Sequence, residues 1–304
     1  MQTVTLAVKT LKAIDDAIAA DQGATFRQHL QKVLPHIGDA YRGVEKNPFR
    51  NHLGASVIGN ECARAIWFGF RWFLKPKFEG RILRLFNRGH MEEARFIACL
   101  LTAGVQIYQQ DENGRQFRIS DFGGHFGGSG DGVAIGIPDL LPGTPCLTEF
   151  KTHNDKSFQG LVKEGVRRAK YEHYTQANIY MKKMGLQVCL YGAVNKNDDK
   201  LYLELLYLDT TTTDQMMGRA GQIIFMRTPP KRISESPGWF GCRFCDHKPH
   251  CHGTAPVERN CRTCVYSDPS ENGNWYCMNS PRCDAEKLTE DMQLAACERY
   301  NQIK

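Results

Sequence analysis

The sequence contains no apolar run that approaches membrane-spanning length, and its N-terminus lacks the pattern of a signal peptide. We therefore expect a cytoplasmic protein with no membrane partner. The composition also shows no bias towards a fibrous, disordered or membrane protein, because 41% hydrophobic and 24% charged residues are typical of a soluble globular protein. A length of 304 residues predicts one large domain with an appendage. The net charge of +6 favours a polyanionic partner.

Cysteine, by contrast, is abundant. Twelve cysteines in a reducing cytoplasm indicate metal ligation rather than disulfides. A first group has the spacing C-x2-C-x5-C and consists of Cys242, Cys245 and Cys251. Because three thiols cannot complete a four-ligand site, we expect Cys62 to supply the fourth. Four thiolates suit a 4Fe-4S cluster and equally suit Zn²⁺, and three histidines nearby offer substitute ligands: His247, His250 and His252.

A second cysteine group lies in the C-terminal tail. Cys261 and Cys264 form a C-x2-C pair, and Cys277 follows after twelve residues, which is a pattern typical of Zn²⁺ sites. A tail of about fifty residues needs such a staple, since it is too short for a stable core. The spacing leaves the fourth ligand open between Cys283 and Cys297. The other cysteines fall in apolar segments and are expected in the core: Cys99, Cys146 and Cys189.

Two apolar segments, 126–137 and 145–151, are predicted to be strands, with a Pro- and Gly-rich turn over 138–144 between them. Each strand carries an ionisable residue where a core strand should have none. The midpoint between Asp131 and Glu149 falls in the middle of the turn. In a simple hairpin the two carboxylates therefore lie opposite each other, with Cβ atoms roughly 5 Å apart.

Opposed carboxylates on a largely apolar sheet repel each other, and a divalent cation relieves that repulsion. Oxygen ligands of this kind are preferred by Mg²⁺ and Mn²⁺. Lys151 shares the face of Glu149 because it is two residues further along the same strand. Its ammonium could stabilise negative charge or orient a water molecule there. Asp139 lies in the turn, too far along the hairpin to face Glu149, so we expect its replacement to be almost silent.

The segments around this hairpin complete the expected sheet. Residues 105–111 and 115–122 are predicted to form another hairpin of the same sheet, and 186–194 and 200–208 two further strands. Residues 4–36 are predicted to form one or two amphipathic packing helices.

Two predicted helices carry polar residues on one face. His90 and Glu93 are three residues apart, and Gln176 and Tyr180 are four apart, so each pair shares a helical face. Just before Gln176 the chain is strongly basic. Three of these basic side chains are candidates for a phosphate-binding surface, with solubility as the alternative explanation of the charge: Arg167, Arg168 and Lys170.

The order of these motifs resembles the PD-(D/E)xK nuclease superfamily, in the RecB- and AddB-type exonuclease branch that includes the CRISPR-adaptation exonucleases with a 4Fe-4S cluster. The resemblance rests on Gly-His90, Gly-Asp131-Gly, Glu149-Phe-Lys151 and Gln176-x-x-x-Tyr180, between an early Cys and three late ones. The end of the chain resembles the zinc-ribbon-like tails of phage-encoded RecB-type proteins, which favours Cys297 over Cys283 as the fourth tail ligand.

The resemblance implies an α/β fold of the restriction-endonuclease-like type, with a mixed central β-sheet flanked by helices in the order αβββαβ. It implies catalytic roles for Asp131, Glu149, Lys151, Gln176 and Tyr180. The implied ligands of Mg²⁺ or Mn²⁺ are His90, Asp131, Glu149 and the carbonyl of Phe150. The implied cluster ligands are Cys62, Cys242, Cys245 and Cys251, and the zinc ligands are Cys261, Cys264, Cys277 and Cys297.

The implied activity is a metal-dependent DNA exonuclease acting in recombination, repair or phage DNA processing, in a bacterial or phage-infected cell. Its expected partners are DNA and a single-strand-binding or annealing protein or other recombination factor. A catalytically idle DNA-binding or adaptor module and a structure-specific endonuclease are the alternatives. The expected parts are a helical N-terminal region (1–50), a nuclease core closed by the iron-sulfur site (51–253) and a zinc-binding tail (254–304).

Overall fold

The structure is a computed structural model and describes residues 3–41, 43, 47–280 and 286–303. Cys283 lies outside them. The helices are α1 (Val8–Ala20), α2 (Ala24–Val33), α3 (Ala63–Phe70), α4 (Gly80–Thr102), α5 (Asp155–Ala169), α6 (Tyr171–Met184), α7 (Thr210–Phe225), α8 (Lys248–His252) and α9 (Glu290–Ala295). The strands are β1 (Leu53–Gly54), β2 (Gln106–Tyr108), β3 (Arg118–Asp121), β4 (Phe126–Ser129), β5 (Gly132–Ile135), β6 (Cys146–His153), β7 (Val188–Asn195), β8 (Leu201–Tyr207), β9 (Ser267–Pro269), β10 (Trp275–Cys277) and β11 (Glu286–Leu288).

The chain folds into two compact units, each assembled from three segments. The first contains Met1–Val44, Phe78–Ile119 and Ser129–Thr213, and the second contains Glu45–Lys77, Ser120–Gly128 and Asp214–Lys304. The division into parts at 50 and 253 stays a prediction. Among the described residues, no helix is both long and apolar enough to span a bilayer.

The first unit is built on a five-stranded sheet in the order β2-β5-β6-β7-β8. Strands β6 and β7 are parallel and are joined through α5 and α6, while the other neighbours are antiparallel. Parallel strands need such a crossover, because a short turn cannot return the chain to the same end of the sheet. The predicted mixed α/β fold, with a central mixed sheet flanked by helices, is confirmed.

The centre of this sheet is covered on both faces. Every residue of β7 is buried, which explains why the strand reads as an almost continuous apolar run. On one face, the rings of Phe96 from α4 and Phe150 from β6 stack with centroids 4.8 Å apart. Gly192 lies against both rings, so a larger residue there would force them apart. Helix α4 is thereby fixed against the strand that carries Glu149.

The predicted strand over 126–137 is in fact two strands in different sheets. Strand β4 pairs in parallel with β1, whereas β5 pairs with β2 and β6. The break falls at Gly130 and Gly132. The φ of Gly132 is +154°, and a Cβ atom there would lie 2.8 Å from the carbonyl oxygen of Tyr108, so the close approach of the two strands requires glycine.

The predicted hairpin over 105–122 is also only partly correct. Its first strand, β2, joins the five-stranded sheet as expected. Its second, β3, belongs instead to a three-stranded sheet in the order β1-β4-β3. Between them only an isolated bridge joins Gln110 to Gln116. The strong turn signal at 112–114 was therefore right about the turn and wrong about the pairing.

The second unit contains two buried arginines that connect its segments. The Arg262 guanidinium lies 3.8 Å from the Trp72 ring centroid, and its Nη1 donates to the Phe70 carbonyl. Arg71 Nη1 donates to the Ser267 carbonyl at 2.8 Å. Burial lowers the pKa of Arg71 to about 10, so this side chain remains charged at neutral pH. The C-terminal tail thus packs onto residues near 70 through these two arginines.

Asp139 has a structural role, which the expectation of an almost silent replacement did not take into account. Its carboxylate accepts hydrogen bonds from the backbone N–H groups of Lys9 and Thr10, at 3.1 and 2.7 Å, and from the Thr10 hydroxyl at 2.7 Å. Helix α1 receives no side-chain cap from its own Ala7. Asp139 therefore caps α1 from a distant part of the chain.

Candidate functional site: a buried carboxylate and lysine cluster

The predicted opposition of Asp131 and Glu149 is borne out by the strand register. Strands β5 and β6 pair Gly132 with Thr148, and one step further along the same register brings Asp131 opposite Glu149. Asp131 is half-buried and its Oδ2 accepts a hydrogen bond from the Phe150 N–H at 2.7 Å. Glu149 is fully buried, at 0% exposure. Continued one residue beyond β5, the antiparallel register therefore places the two carboxylates at the same level of the sheet.

Lys151 lies beside Glu149, as their two-residue spacing predicts. Its Nζ donates a hydrogen bond to Glu149 Oε1. Burial lowers the pKa of Lys151, but the charges of Glu149 and Asp131 outweigh burial and raise it above its usual value. The lysine is therefore a cation at neutral pH.

One oxygen of this cluster has no partner. Glu149 Oε2 is buried and accepts no hydrogen bond in the described part of the chain. Burial raises the pKa of Glu149, and the Asp131 charge raises it further, while Lys151 opposes both. An unpartnered buried carboxylate oxygen is costly unless a cation or a donor satisfies it. The site thus has the oxygen chemistry that fits Mg²⁺ or Mn²⁺.

Helix α4 brings two further groups to these carboxylates. Burial raises the pKa of Asp131, and the charges of Lys151 and His90 oppose that shift. Glu93 has its own pKa raised to about 8, first by burial and then by the charges of Asp131, Asp39 and Glu149. His90 was predicted here. Glu93 was noted only as its partner on the helical face, and Asp39 was missed because no motif surrounds it.

Gln176 and Tyr180 share a face of α6, as predicted. Both are buried, and Gln176 Nε2 donates to the Tyr180 hydroxyl at 3.4 Å. Burial raises the pKa of Tyr180, and the charge of Glu149 raises it further. The tyrosine is therefore neutral and faces the carboxylate side of the sheet, with its hydroxyl held by the amide of Gln176.

A pair of histidines beside this cluster was not anticipated. His153 Nε2 and His173 Nδ1 lie 3.1 and 2.8 Å from the single hydroxyl of Tyr191. Burial lowers the pKa of His153 to about 4 and of His173 to about 3, and Lys151 contributes to both shifts. Both imidazoles are neutral at pH 7. His173 immediately precedes the Tyr-Thr-Gln176 run, which was the only signal that could have drawn attention to it.

The three basic residues predicted to bind phosphates are not equivalent. Arg167 makes an ion pair with Asp209 at 3.4 Å, and its guanidinium lies 5.2 Å from the Tyr174 ring centroid. Arg168 follows it in the last turn of α5, and Lys170 follows that helix. The assignment of all three to DNA binding stays a prediction.

The first cysteine group lies wholly within the second unit. Cys62 caps α3, where its sulfur accepts from the Ala65 N–H at 3.4 Å. Burial raises the pKa of Cys245, and the neighbouring thiols of Cys62 and Cys242 raise it further. The structure therefore brings the early Cys62 and the late Cys242 close to Cys245. The Cys242 Sγ lies 3.7 Å from His252 Nε2, which makes His252 a competitor of Cys251 for the fourth position.

The second cysteine group surrounds a cavity of about 10 Å³ in the same unit, lined by the four predicted tail ligands: Cys261, Cys264, Cys277 and Cys297. Burial raises the pKa of Cys261 to about 12, and the other three thiols contribute to that shift. A space of this size holds about one water molecule, so a single ion also fits it. The chemistry of the donor set suits Zn²⁺.

A feature common to the two cysteine groups and the carboxylate cluster is the arrangement of their possible metal ligands. Among the residues that the structure describes, no three His, Cys, Asp or Glu side chains are arranged so that they could hold a metal ion as they stand.

Comparison with known proteins gives a likeness of fold only. No protein-family model matches the chain, and no curated protein matches it in sequence. The structure is similar to the alkaline exonuclease LHK-Exo from Laribacter hongkongensis, with 16% identity, a TM-score of 0.39, and coverage of 57% of this chain and 86% of that one. For LHK-Exo in complex with dAMP the identity is 12%, the TM-score 0.39 and the coverage 64% and 90%. For SSO0001 the identity is 12%, the TM-score 0.39 and the coverage 77% and 99%. Likeness at this level does not establish a shared activity.

Proposed function

We propose that the protein is a Mg²⁺- or Mn²⁺-dependent deoxyribonuclease that hydrolyses phosphodiester bonds from DNA ends. The observation that carries the proposal is the unpartnered, buried Glu149 Oε2, which lies beside Asp131 and within the same cluster as the Lys151 cation. A purely structural ion pair would need one carboxylate for one lysine. Here several carboxylates converge on a single lysine, as the pKa shifts of Glu93, Asp131 and Glu149 reflect.

The metal ligands in this proposal are Asp131, Glu149, the Phe150 carbonyl and His90. A bound divalent cation supplies Lewis-acid chemistry and lowers the pKa of bound water. The chain itself holds the ligands in place, because the Phe150 N–H fixes Asp131 by a 2.7 Å hydrogen bond. The same residue would then present its N–H to one ligand and its carbonyl to the metal.

Lys151 acts as a fixed positive charge in this scheme. The charges of Glu149 and Asp131 raise its pKa, so in the metal-free protein it holds its proton at neutral pH. A protonated lysine at this position stabilises negative charge on the phosphate oxygen and orients the attacking water. Gln176 and Tyr180 lie on the same side and are proposed to position that water or a phosphate oxygen by hydrogen bonding.

DNA is the proposed partner, and the basic segment around α5 is proposed to grip its phosphates. Replacing Arg167, Arg168 and Lys170 together should weaken binding and flatten its salt dependence. Each lost contact reduces the slope of log K against log salt by about 0.9 for duplex DNA and about 0.7 for single strands. An unchanged slope would remove these residues from the interface. A single-strand-binding or annealing protein, or another recombination factor, is proposed as the protein partner on the motif resemblance alone.

Both cysteine groups are proposed to be structural. The first is assigned a 4Fe-4S cluster on Cys62, Cys242, Cys245 and Cys251, supported by the proximity of both Cys62 and Cys242 to Cys245. The second is assigned one Zn²⁺ on the four thiols that line the tail cavity. Each metal would join segments of the second unit that are distant in sequence or too short to hold themselves together.

One set of digestions separates this proposal from its alternatives. End-labelled linear and covalently closed circular DNA, single- and double-stranded, is incubated with Mn²⁺, Mg²⁺ or EDTA. An exonuclease degrades linear DNA with metal and spares the circles. Cleavage of circles would favour a structure-specific endonuclease. Binding without cleavage in any metal would favour a catalytically idle DNA-binding or adaptor module.

A further inference from the structure

The segment around the first cysteine group points its thiols inward and its aromatic rings outward. Phe240 and Phe244 are each 82% exposed, and Trp239 beside them is 36% exposed, whereas Cys242 between them is buried. The backbone is held by successive short turns. The N–H of Cys242 donates to the Trp239 carbonyl at 2.9 Å, and the N–H of Arg243 to the Phe240 carbonyl at 3.2 Å. The rings are therefore displayed on an ordered loop, which we call the aromatic loop (239–244).

Gly241 contributes to that order. A Cβ atom built on Gly241 would lie 2.0 Å from the Trp239 ring, so the indole lies directly over the glycine backbone. Trp239 thus folds back on the loop and leaves the two phenylalanines as its outermost side chains. Two phenyl rings exposed in this way do not gain the free energy that Phe usually gains from burial. Adjacent exposed apolar side chains of this kind are a recurrent feature of binding surfaces.

Positive charge is interleaved with these rings. The Arg243 guanidinium lies 5.4 Å from the Phe244 ring centroid, and it makes no ion pair with any residue that the structure describes. Between residues 227 and 252 the acidic residues are only Glu235 and Asp246, and the basic ones are Arg227, Lys231, Arg232, Arg243 and Lys248. A loop with exposed rings and an excess of positive charge complements a polyanion that carries flat aromatic groups.

We propose that the aromatic loop binds single-stranded DNA, with unpaired bases stacked on Phe240 and Phe244 and a phosphate held by Arg243. Base stacking on aromatic rings, combined with a basic surface, is the common mode of sequence-tolerant single-strand binding. A protein partner is less well matched, because Arg243 lies against the outer ring and basic residues outnumber acidic ones in this segment. This inference extends the proposed nuclease function by naming the form of DNA that the second unit recognises.

The test is fluorescence anisotropy with a labelled oligothymidylate 20-mer and an abasic 20-mer, without added divalent metal, with gels run afterwards to verify that both strands are intact. The two strands carry the same phosphates, but only one carries bases. Phe240→Ala/Phe244→Ala is compared with wild type. Leu141→Ala serves as the matched control, because Leu141 is 80% exposed and lies in the other unit. Phe244→Tyr and Phe244→Leu separate stacking from general apolar contact.

The double variant should bind oligothymidylate at least about 25-fold more weakly, since each ring contributes roughly five-fold or more. Its affinity for the abasic strand should be unchanged. Phe244→Tyr should bind like wild type, Phe244→Leu should be weakened, and Leu141→Ala should have no effect. Arg243→Gln should reduce the salt slope by about 0.7. Equal affinity of the double variant and wild type for oligothymidylate, or equal losses on both strands, would overturn the proposal.

These outcomes are independent of the proposed chemistry. The measurement involves no cleavage, so it can succeed in a protein that proves to be catalytically idle. Conversely, if the protein cuts DNA through Glu149 but binds oligothymidylate and the abasic strand equally well, the nuclease proposal stands and the proposal for the aromatic loop is refuted. Iron and zinc contents equal to those of wild type in the double variant verify that the loop around Cys242 and Cys245 is intact.

Discussion

Replacing Asp139 by Ala tests whether the turn between β5 and β6 holds the N-terminal helix in place. The carboxylate accepts three hydrogen bonds from Lys9 and Thr10, and Thr10 is fully buried. Loss of a helix cap costs about 1 kcal/mol, and each buried donor left without an acceptor adds about 1 kcal/mol or more. We expect the free energy of unfolding to fall by about 2–3 kcal/mol.

The assay is urea unfolding of metal-loaded protein followed by circular dichroism. With an m value of about 3 kcal/mol per molar, the midpoint should fall by about 0.7–1 M. Asp139→Asn keeps an oxygen acceptor and should lose roughly half as much. Asp16→Ala, on the exposed surface of the same helix α1, is the control and should change the midpoint by less than about 0.2 M. Nuclease activity at 25 °C should be unchanged in all three. An unshifted midpoint for Asp139→Ala would refute the capping role.

Two further predictions concern other parts of the molecule. Because the pKa values of His153 and His173 are lowered to about 4 and about 3, the unfolded chain binds protons that the folded chain does not, so stability is complete above about pH 6.5 and lost as the pH falls. Urea unfolding should show that the free energy of unfolding of wild type falls by roughly 2–4 kcal/mol between pH 7 and pH 5. In the double variant His153→Gln/His173→Gln this dependence on pH should be much weaker. If wild type and the double variant lose stability in parallel, the histidine pair is excluded as the cause. In anaerobically purified protein, Cys62→Ala should remove iron and sulfide while Cys264→Ala removes only zinc. Colourless wild-type protein with two zinc ions would reject the cluster and leave the nuclease proposal intact.

The part of the site that could be predicted from sequence is the part that local geometry fixes. A single turn joins β5 and β6, so the midpoint of the turn sets the register and places Asp131 opposite Glu149. Lys151 follows from strand alternation and Tyr180 from helical spacing in the same way. In each case the relation between two residues is decided by a short stretch of chain, which a sequence pattern can report.

The rest depends on contacts between distant segments. Asp39 meets the carboxylate cluster only because helix α4 packs beside the segment that carries it. Arg262 stacks on Trp72, which is almost two hundred residues away in the sequence, and no sequence pattern predicts that contact. The split between β4 and β5 arises because Gly132 allows the Tyr108 carbonyl to approach, which is visible only once β2 is in place.

The most direct test of the central claim is the metal-dependent degradation of end-labelled linear DNA by wild type, Glu149→Gln and Lys151→Ala. Glu149→Gln keeps the shape of the buried side chain and removes its charge, so the fold is retained while the oxygen site for the metal is weakened. The proposed mechanism predicts degradation by wild type with Mn²⁺ or Mg²⁺, none with EDTA, and at least a hundred-fold loss in both variants, roughly the effect of removing one positioned charge from a transition state. Activity of Glu149→Gln near that of wild type would contradict it.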